Sequence, residues 1–135
     1  MAKIKQKSDF NIDAAYKLIK QALYAPSVHC AYYSCFQLLK YTIKEFFGTD
    51  YDTQSEEIRD SNPKQSTHTY VINYIGRELA KLTDLKTSRG FKRKINDLKQ
   101  FRVESDYHNI EIDITQGTKA LTKANEIREY IVSNF

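Results

Sequence analysis

The sequence has few of the residues that break or cross-link a chain. Among 135 residues only four are glycine and two are proline, which is too few to separate many short strands, so long helices are expected. No run of 18 apolar residues occurs, and the first residues lack the apolar segment of an export signal. We therefore expect a cytoplasmic protein that makes no contact with a membrane.

Cysteine is also scarce, since Cys30 and Cys35 are the only two. Five residues apart on a helix they would point about 140° from each other, so they can neither form a local disulfide nor share a metal. The sequence shows no glycine-rich phosphate loop, no Ser-His-Asp set and no cluster of metal ligands, so no cofactor and no metal are expected. We interpret His29 as a hydrogen-bonded packing residue and His68 as a solvated helical residue.

The composition is that of a soluble globular chain, with 41% hydrophobic and 28% charged residues. A chain of this length predicts one domain over residues 1–135. We expect residues 1–8, with lysine at every second position from Lys3 to Lys7, to be a flexible tail rather than a nucleic-acid arm. The net charge of +4 permits a polyanionic partner without requiring one.

Apolar residues recur at steps of three and four along most of the chain, which indicates helices. The first is predicted over roughly residues 10–24, stopped by Pro26, and the second runs from a cap at Ser27 to Gly48. A short helix is expected near Thr53, a third long one from Asn62–Pro63, a fourth after a break at 83–90, and a last one opened by a capping box of Asp113 and Gln116. The fold predicted is all-α, an antiparallel up-and-down bundle of four long helices plus a short extra one.

An arginine interrupts the apolar stripe of the fourth helix. Arg102 falls within about 20° of Ile95 on a helical wheel, although the stripe is otherwise apolar. A guanidinium in that position is costly unless it is paired or faces a wet crevice. Asp106, one turn further on, is its expected partner.

Positive charge concentrates at the start of the same helix, where it opposes the helix dipole. A surface that binds the phosphates of a nucleic acid would explain it, and a solvated basic face that balances the acidic segment 50–60 is the alternative. The residues concerned are Lys86, Arg89, Lys92, Arg93 and Lys94.

Two segments carry a resemblance to a known family. The aromatic and small residues HCAYYSCF at 29–36, followed by RVESDY at 102–107 and a final amphipathic helix, resemble the HEPN superfamily, in a branch with an Arg-x-x-Ser-Asp-Tyr motif. The resemblance covers nearly the whole chain from about residue 10. It implies a bacterial helical-bundle protein, commonly a homodimer, that acts on RNA or nucleotides and often has a minimal nucleotidyltransferase as its partner.

The same resemblance implies residues for a metal-independent endoribonuclease of toxin–antitoxin type. Arg102 would hold the scissile phosphate and His108 would transfer the proton, with Ser105, Asp106 and Tyr107 supporting the site. On one unbroken helix Arg102 and His108 would point about 120° apart, so either the helix ends near His108 or two protomers contribute. The alternative is a non-catalytic interaction module in which Arg102 and Asp106 form a structural pair and Tyr107 closes the end of the bundle.

Overall fold

A computed structural model describes residues 3–135, and within this range every regular element is a helix. The six helices are α1 (Lys3–Lys20), α2 (Tyr24–Phe47), α3 (Tyr51–Asp60), α4 (Thr67–Leu82), α5 (Leu85–Tyr107) and α6 (Ile114–Asn134). The all-α prediction is confirmed. Five of the helices have 16 or more residues, one more long helix than predicted. None of these helices has the length and apolar character needed to cross a membrane.

The first helix begins earlier than predicted. Residues 3–8 of the expected flexible tail are helical, and Ser8 is fully buried, with its hydroxyl donating to the carbonyl of Ser34 (2.6 Å). Residues 1 and 2 of that predicted tail lie outside the described residues. Helix α1 ends at Lys20, so Pro26 is not what stops it. Pro26 lies in the first turn of α2, where a backbone N–H has no acceptor within the helix and its absence therefore costs no hydrogen bond.

The second helix is the centre of the fold and packs against α1, α4, α5 and α6. Its inward residues include Tyr32, Leu39 and Ile43, each with no exposed surface, and it ends at Gly48 as predicted. Gly48 has a φ of 69°, a left-handed conformation that glycine adopts without a steric penalty. Because four helices pack against α2, the position of its segment 29–36 is fixed by contacts on several sides.

The starts of α2, α3, α4 and α5 differ from the prediction. Helix α2 begins at Tyr24 and not after a cap at Ser27, whose hydroxyl instead donates to the carbonyl of Ala15 (2.8 Å), whereas each of the other three starts follows the position of a capping side chain. The N-caps are Asp50 for α3, Ser66 for α4 and Asp84 for α5, and each accepts a hydrogen bond from the backbone N–H three residues on. Hence α4 does not start at the cis peptide Asn62–Pro63, and the predicted break at 83–90 shrinks to Thr83 and Asp84.

The last two helices carry the predicted inner faces. In α5 the buried residues are Ser88, Phe91, Ile95, Leu98 and Arg102. The capping box of Asp113 and Gln116 opens α6 as expected, and the buried face of that helix is Gly117, Ala120, Leu121, Ala124, Ile127 and Ile131. A Cβ at Gly117 would lie 3.4 Å from the Tyr24 ring, so the small residue lets α6 approach the start of α2 closely.

Candidate functional site

The candidate site is built around Arg102, at the C-terminal end of α5. Arg102 is only 7% exposed, which confirms its predicted burial on the apolar stripe. Its guanidinium carbon lies 5.3 Å from the ring centre of Tyr32, 5.4 Å from that of Tyr33 and 5.9 Å from that of Tyr107. These distances are within the range of cation–π attraction, so aromatic faces replace much of the water that the charge has lost.

Arg102 has few hydrogen bonds for a buried charge. Its Nη1 donates to Oδ2 of Asp106 at 3.5 Å, the limit of a hydrogen bond, which confirms the predicted partner but makes the pair a long one. Its Nε is buried and has no hydrogen-bond partner among residues 3–135. A guanidinium offers five N–H donors, so most of this group's capacity is unused by the protein.

Asp106 has a second and closer partner, His29. The Nδ1 atom of His29 lies 2.8 Å from Oδ2 of Asp106, the same oxygen that receives Arg102. The side chain of Asp106 is 19% exposed, although the residue as a whole is exposed, whereas the side chain of His29 is 46% exposed. The carboxylate therefore joins a buried cation on one side to an accessible imidazole on the other.

His29 is hydrogen-bonded as expected, but it is an exposed residue and not a packing residue, and the sequence did not place it at this site. It lies 77 residues before Asp106, and only the packing of α2 against α5 brings the two together. One local signal was present. His29, Tyr32, Tyr33 and Phe36 follow steps of three and four, which put an aromatic face on α2, and the His29 and Tyr33 rings lie 4.8 Å apart.

His68 corrects a prediction, because it is not a solvated residue. It is half-buried on α4, stacks on Phe36 with ring centres 4.3 Å apart, and hydrogen-bonds with the hydroxyl of Tyr32 at 2.6 Å. Burial, together with the smaller effects of the charges of Lys99 and Arg102, lowers the pKa of His68 from 6.5 to about 4. His68 is therefore neutral near pH 7 and supports the position of Tyr32 behind Arg102.

The remaining predicted site residues lie at the end of α5. Ser105 donates to the backbone oxygen of Ala25 (3.3 Å), which ties this end of α5 to the start of α2. Tyr107 is the last helical residue and is 74% exposed. His108 is the C-cap, in an extended conformation and exposed, so the helix does end where the pairing with Arg102 required. Within residues 3–135 the side chain of His108 has no hydrogen bond, and the histidine brought to Asp106 is His29.

The five predicted basic residues do not share one surface. Arg89 and Lys92 line a groove between α4 and α5 together with Arg77. Lys94 instead forms an ion pair with Glu126 on α6 (2.9 Å). The other two, Lys86 and Arg93, are exposed and lie about 160–180° around the axis of α5 from Arg102.

The described part of the chain gives little indication of a reactive cysteine or of a metal-binding site. Both cysteines are free; burial and the charge of Asp106 raise the pKa of Cys30, and burial raises that of Cys35 to about 12. A thiol with a raised pKa is a poor nucleophile at neutral pH. Residues 3–135 contain no group of three or more histidine, cysteine, aspartate or glutamate side chains placed to hold a metal ion.

Comparison with known proteins identifies no relative: no family model, no curated protein and no solved structure matches this chain.

Proposed function

We propose that the chain binds RNA or a nucleotide at the cluster formed by Arg102, Asp106, His29 and the tyrosines around them. The observation that carries this proposal is the buried, underused guanidinium of Arg102. A protein that needed only a stable core would place an apolar side chain there, since a buried charge with a single long hydrogen bond is costly. A phosphate oxygen would supply the acceptor that Arg102 lacks.

The surroundings of Arg102 suit a nucleotide. Tyr107 covers the guanidinium yet is itself 74% exposed, so rotation of one surface side chain opens a path to Arg102. Tyr107 and the half-buried Tyr33 offer aromatic faces on which a base can stack, and the carboxylate of Asp106 is available to a ribose hydroxyl or a base N–H.

A line of positive charge leads from the groove to this cluster. On α5, Arg89, Lys92, Lys99 and Arg102 follow one another with turns of no more than about 60° around the axis, and Arg77 faces them from α4. A single-stranded backbone that lay along the groove would meet a cation about every 5–10 Å along α5 and end at Arg102. Lys86, Arg93 and Lys94 do not line the groove, and Lys94 is paired with Glu126, so we assign them no part in binding.

The resemblance to the HEPN superfamily extends the proposal. In that interpretation the helices form an up-and-down bundle, the protein is a cytoplasmic bacterial homodimer with a nucleotidyltransferase as a partner, and it cleaves RNA without a metal ion. Arg102 would stabilise charge on the phosphate, and the resemblance assigns the proton transfer to His108.

A second candidate function is a non-catalytic protein-interaction module, and one observation favours it. Large apolar side chains are exposed in the segment that follows the cluster: Tyr107 at 74%, Ile110 at 51% and Ile114 at 59%. Exposed apolar residues of this size in one segment are typical of an interface. A homodimer formed through this segment would also bring two copies of the Arg102 cluster near each other.

The test is the affinity of the protein for a short, fluorescently labelled single-stranded RNA, measured by anisotropy at several salt concentrations. Arg102→Met should weaken binding about ten-fold or more, because a charged hydrogen-bond donor to phosphate is lost. Arg59→Met is the matched control, since it removes the same charge from a side chain that is 68% exposed on α3. Equal affinity in the two variants, or no binding by the wild type at low salt, would favour the interaction module.

A further inference from the structure

The side chain of His29 has the geometry of a catalytic base, and the resemblance does not assign it any role. In many enzymes a carboxylate bonded to one imidazole nitrogen fixes the tautomer and leaves the other nitrogen free to accept a proton. Here Asp106 lies 2.8 Å from Nδ1 of His29, so Nδ1 carries the hydrogen and Nε2 has the lone pair. No side chain in the described range hydrogen-bonds to Nε2.

We propose that His29, held by Asp106, is the proton-transfer residue of an RNA-cleaving site, and that His108 is not. This inference rests on the proposed function, because it names the catalytic group of that same site. Three groups with distinct tasks then share one small region: Arg102 for the charge on phosphate, Asp106 for positioning, and His29 for the proton.

The accessibility of the three groups fits these tasks. The side chain of Arg102 is 8% exposed, that of Asp106 19% and that of His29 46%, so access to solvent increases from the fixed charge to the group that must meet the substrate. Tyr33 packs against the imidazole with ring centres 4.8 Å apart and also lies over Arg102, so one ring limits the motion of both. A base held in this way is pre-oriented, which is the main requirement for efficient proton transfer.

His108 lacks each of these features. It follows the last residue of α5, its backbone is extended, and its side chain is exposed with no hydrogen-bond partner in residues 3–135 to set its tautomer. Nothing in the described structure directs its ring toward Asp106 or Arg102. Arg102 and His108 thus have the spacing of the family's motif in the sequence, but the structure does not bring their side chains into one site.

The reaction that this site supports is cleavage by the neighbouring ribose hydroxyl. The 2′-hydroxyl gives its proton to Nε2 of His29 while its oxygen forms a bond to phosphorus, and the bond from phosphorus to the 5′ oxygen breaks. Water protonates the leaving 5′ oxygen, and the hydroxide that results takes the proton from His29. The products are a 2′,3′-cyclic phosphate and a 5′-hydroxyl, and no metal or redox partner enters the balance.

The experiment compares His29→Gln with His108→Gln, two identical changes at exposed histidines that should leave the fold intact, which circular dichroism checks. Each protein is given the labelled single-stranded RNA in the presence of EDTA, and the rate of cleavage in a single turnover is measured. Binding is measured separately with the 2′-O-methyl form of the same oligonucleotide, which cannot be cleaved. We expect His29→Gln to slow cleavage at least about a hundred-fold while the affinity stays within about three-fold of the wild type, because Arg102 supplies the contact to phosphate, and His108→Gln to change the rate less than about three-fold.

Asp106→Asn tests the positioning role in the same assay. Asparagine keeps the size of the side chain but removes the charge that fixes the imidazole, so the rate should fall about ten-fold or more while the affinity for the 2′-O-methyl RNA stays within about three-fold. A merely structural role would change the melting temperature instead and leave the rate of the folded fraction unaltered.

The outcomes separate this inference from the function on which it rests. If the wild type cleaves RNA and His108→Gln abolishes cleavage while His29→Gln retains it, His29 is not the base but the ribonuclease proposal survives. If the wild type binds RNA without cleaving it, the assignment of His29 and the ribonuclease activity both fail and only binding remains. If it does neither, the proposed function itself is wrong.

Discussion

Two arginines have little exposed side chain, 8% for Arg102 and 15% for Arg128, and the protein provides them with very different hydrogen bonds. Arg128 on α6 donates through Nη1 to the hydroxyl of Ser8 (2.5 Å) and the carbonyl of Ser34 (3.1 Å), and through Nη2 to Asp9 (2.9 Å). Arg102 on α5 has one hydrogen bond, at 3.5 Å, and a buried Nε without a partner. This fold can provide an arginine with several hydrogen-bond acceptors, as it does for Arg128. The lack of acceptors at Arg102 therefore indicates that a requirement other than stability determines the residue at that position.

The two clusters also differ in what they connect. The Arg128 cluster joins α1, α2 and α6 around Ser8, which is fully buried, so it closes a seam between three helices. The Arg102 cluster lies where the end of α5 meets the start of α2, and its outer members, His29 and Tyr107, are exposed. Contacts between helices, such as those of Arg128, are more stabilising when solvent is excluded, whereas a ligand site, such as the Arg102 cluster, must remain accessible to solvent.

The largest effect that we expect is on the Arg128 side of this comparison. Arg128→Met should lower the free energy of unfolding by roughly 3 kcal/mol, because three hydrogen bonds are lost, to the Ser8 hydroxyl, the Ser34 carbonyl and Asp9, although Asp9 keeps its contact with Lys5. Urea denaturation measures the change, and Lys123→Met on the same helix is the control, since its contact with Asp97 is long (3.9 Å) and exposed. A loss no larger than that of the control would mean that the Arg128 cluster does not hold the helices together.

The second effect concerns acid, which should weaken the two regions in different pH ranges. In the Arg102 region burial lowers the pKa of His68 from 6.5 to about 4, so the folded state favours the neutral ring. Its contribution to stability is complete above pH 6.5 and is lost as the pH falls toward 4. In the Arg128 region burial opposes ionisation of Asp9, but hydrogen bonds from Lys5 and Arg128 bring its pKa below the ordinary 3.8, so that contribution is lost only at lower pH.

His68 should therefore account for much of the stability lost between pH 6.5 and 4. We expect roughly 1–2 kcal/mol over this range, after discounting for the partial exposure of the ring. In His68→Gln the dependence of the unfolding free energy on pH should be flatter than in the wild type over this range. An unchanged slope in His68→Gln would show that other groups titrate in this window.

The sequence predicted the buried faces of the helices far better than the arrangement of the site. Periodicity placed Arg102 on the inner face of α5 and the capping box at the start of α6, because both are properties of neighbouring residues. It misplaced the start of α5, because the cap at Asp84 is sufficient to begin a helix and Gly90 is tolerated within it.

The pairing of His29 with Asp106 could not be predicted in the same way. It depends on how α2 and α5 pack, and no rule of spacing relates residues 77 positions apart. The error at His68 has the same origin: its burial comes from Tyr32 and Phe36 on another helix. Local patterns thus indicated which residues are buried, but the chemistry of the site is set by contacts between helices.

The smallest effect should come from the substitution that matters most for function. Arg102→Met should change the free energy of unfolding by less than about 1 kcal/mol, and an increase is within expectation. The loss of one long contact to Asp106 is offset because a buried charge is no longer desolvated, and Asp106 keeps His29 as its partner at 2.8 Å. The thioether of methionine can pack against the rings of Tyr32 and Tyr33 that now face the guanidinium.

Urea denaturation of Arg102→Met and of Arg128→Met compares the same substitution at two arginines whose side chains are mostly inaccessible, and the quantity of interest is the difference between their unfolding free energies. If Arg102→Met keeps its stability but loses affinity for RNA, then Arg102 serves binding and is not needed for the stability of the core, as is often true of functional residues. If Arg102→Met instead destabilises the protein as much as Arg128→Met, then the Arg102–Asp106 pair is structural. In that case the exposed apolar segment around Tyr107 becomes the better guide to function.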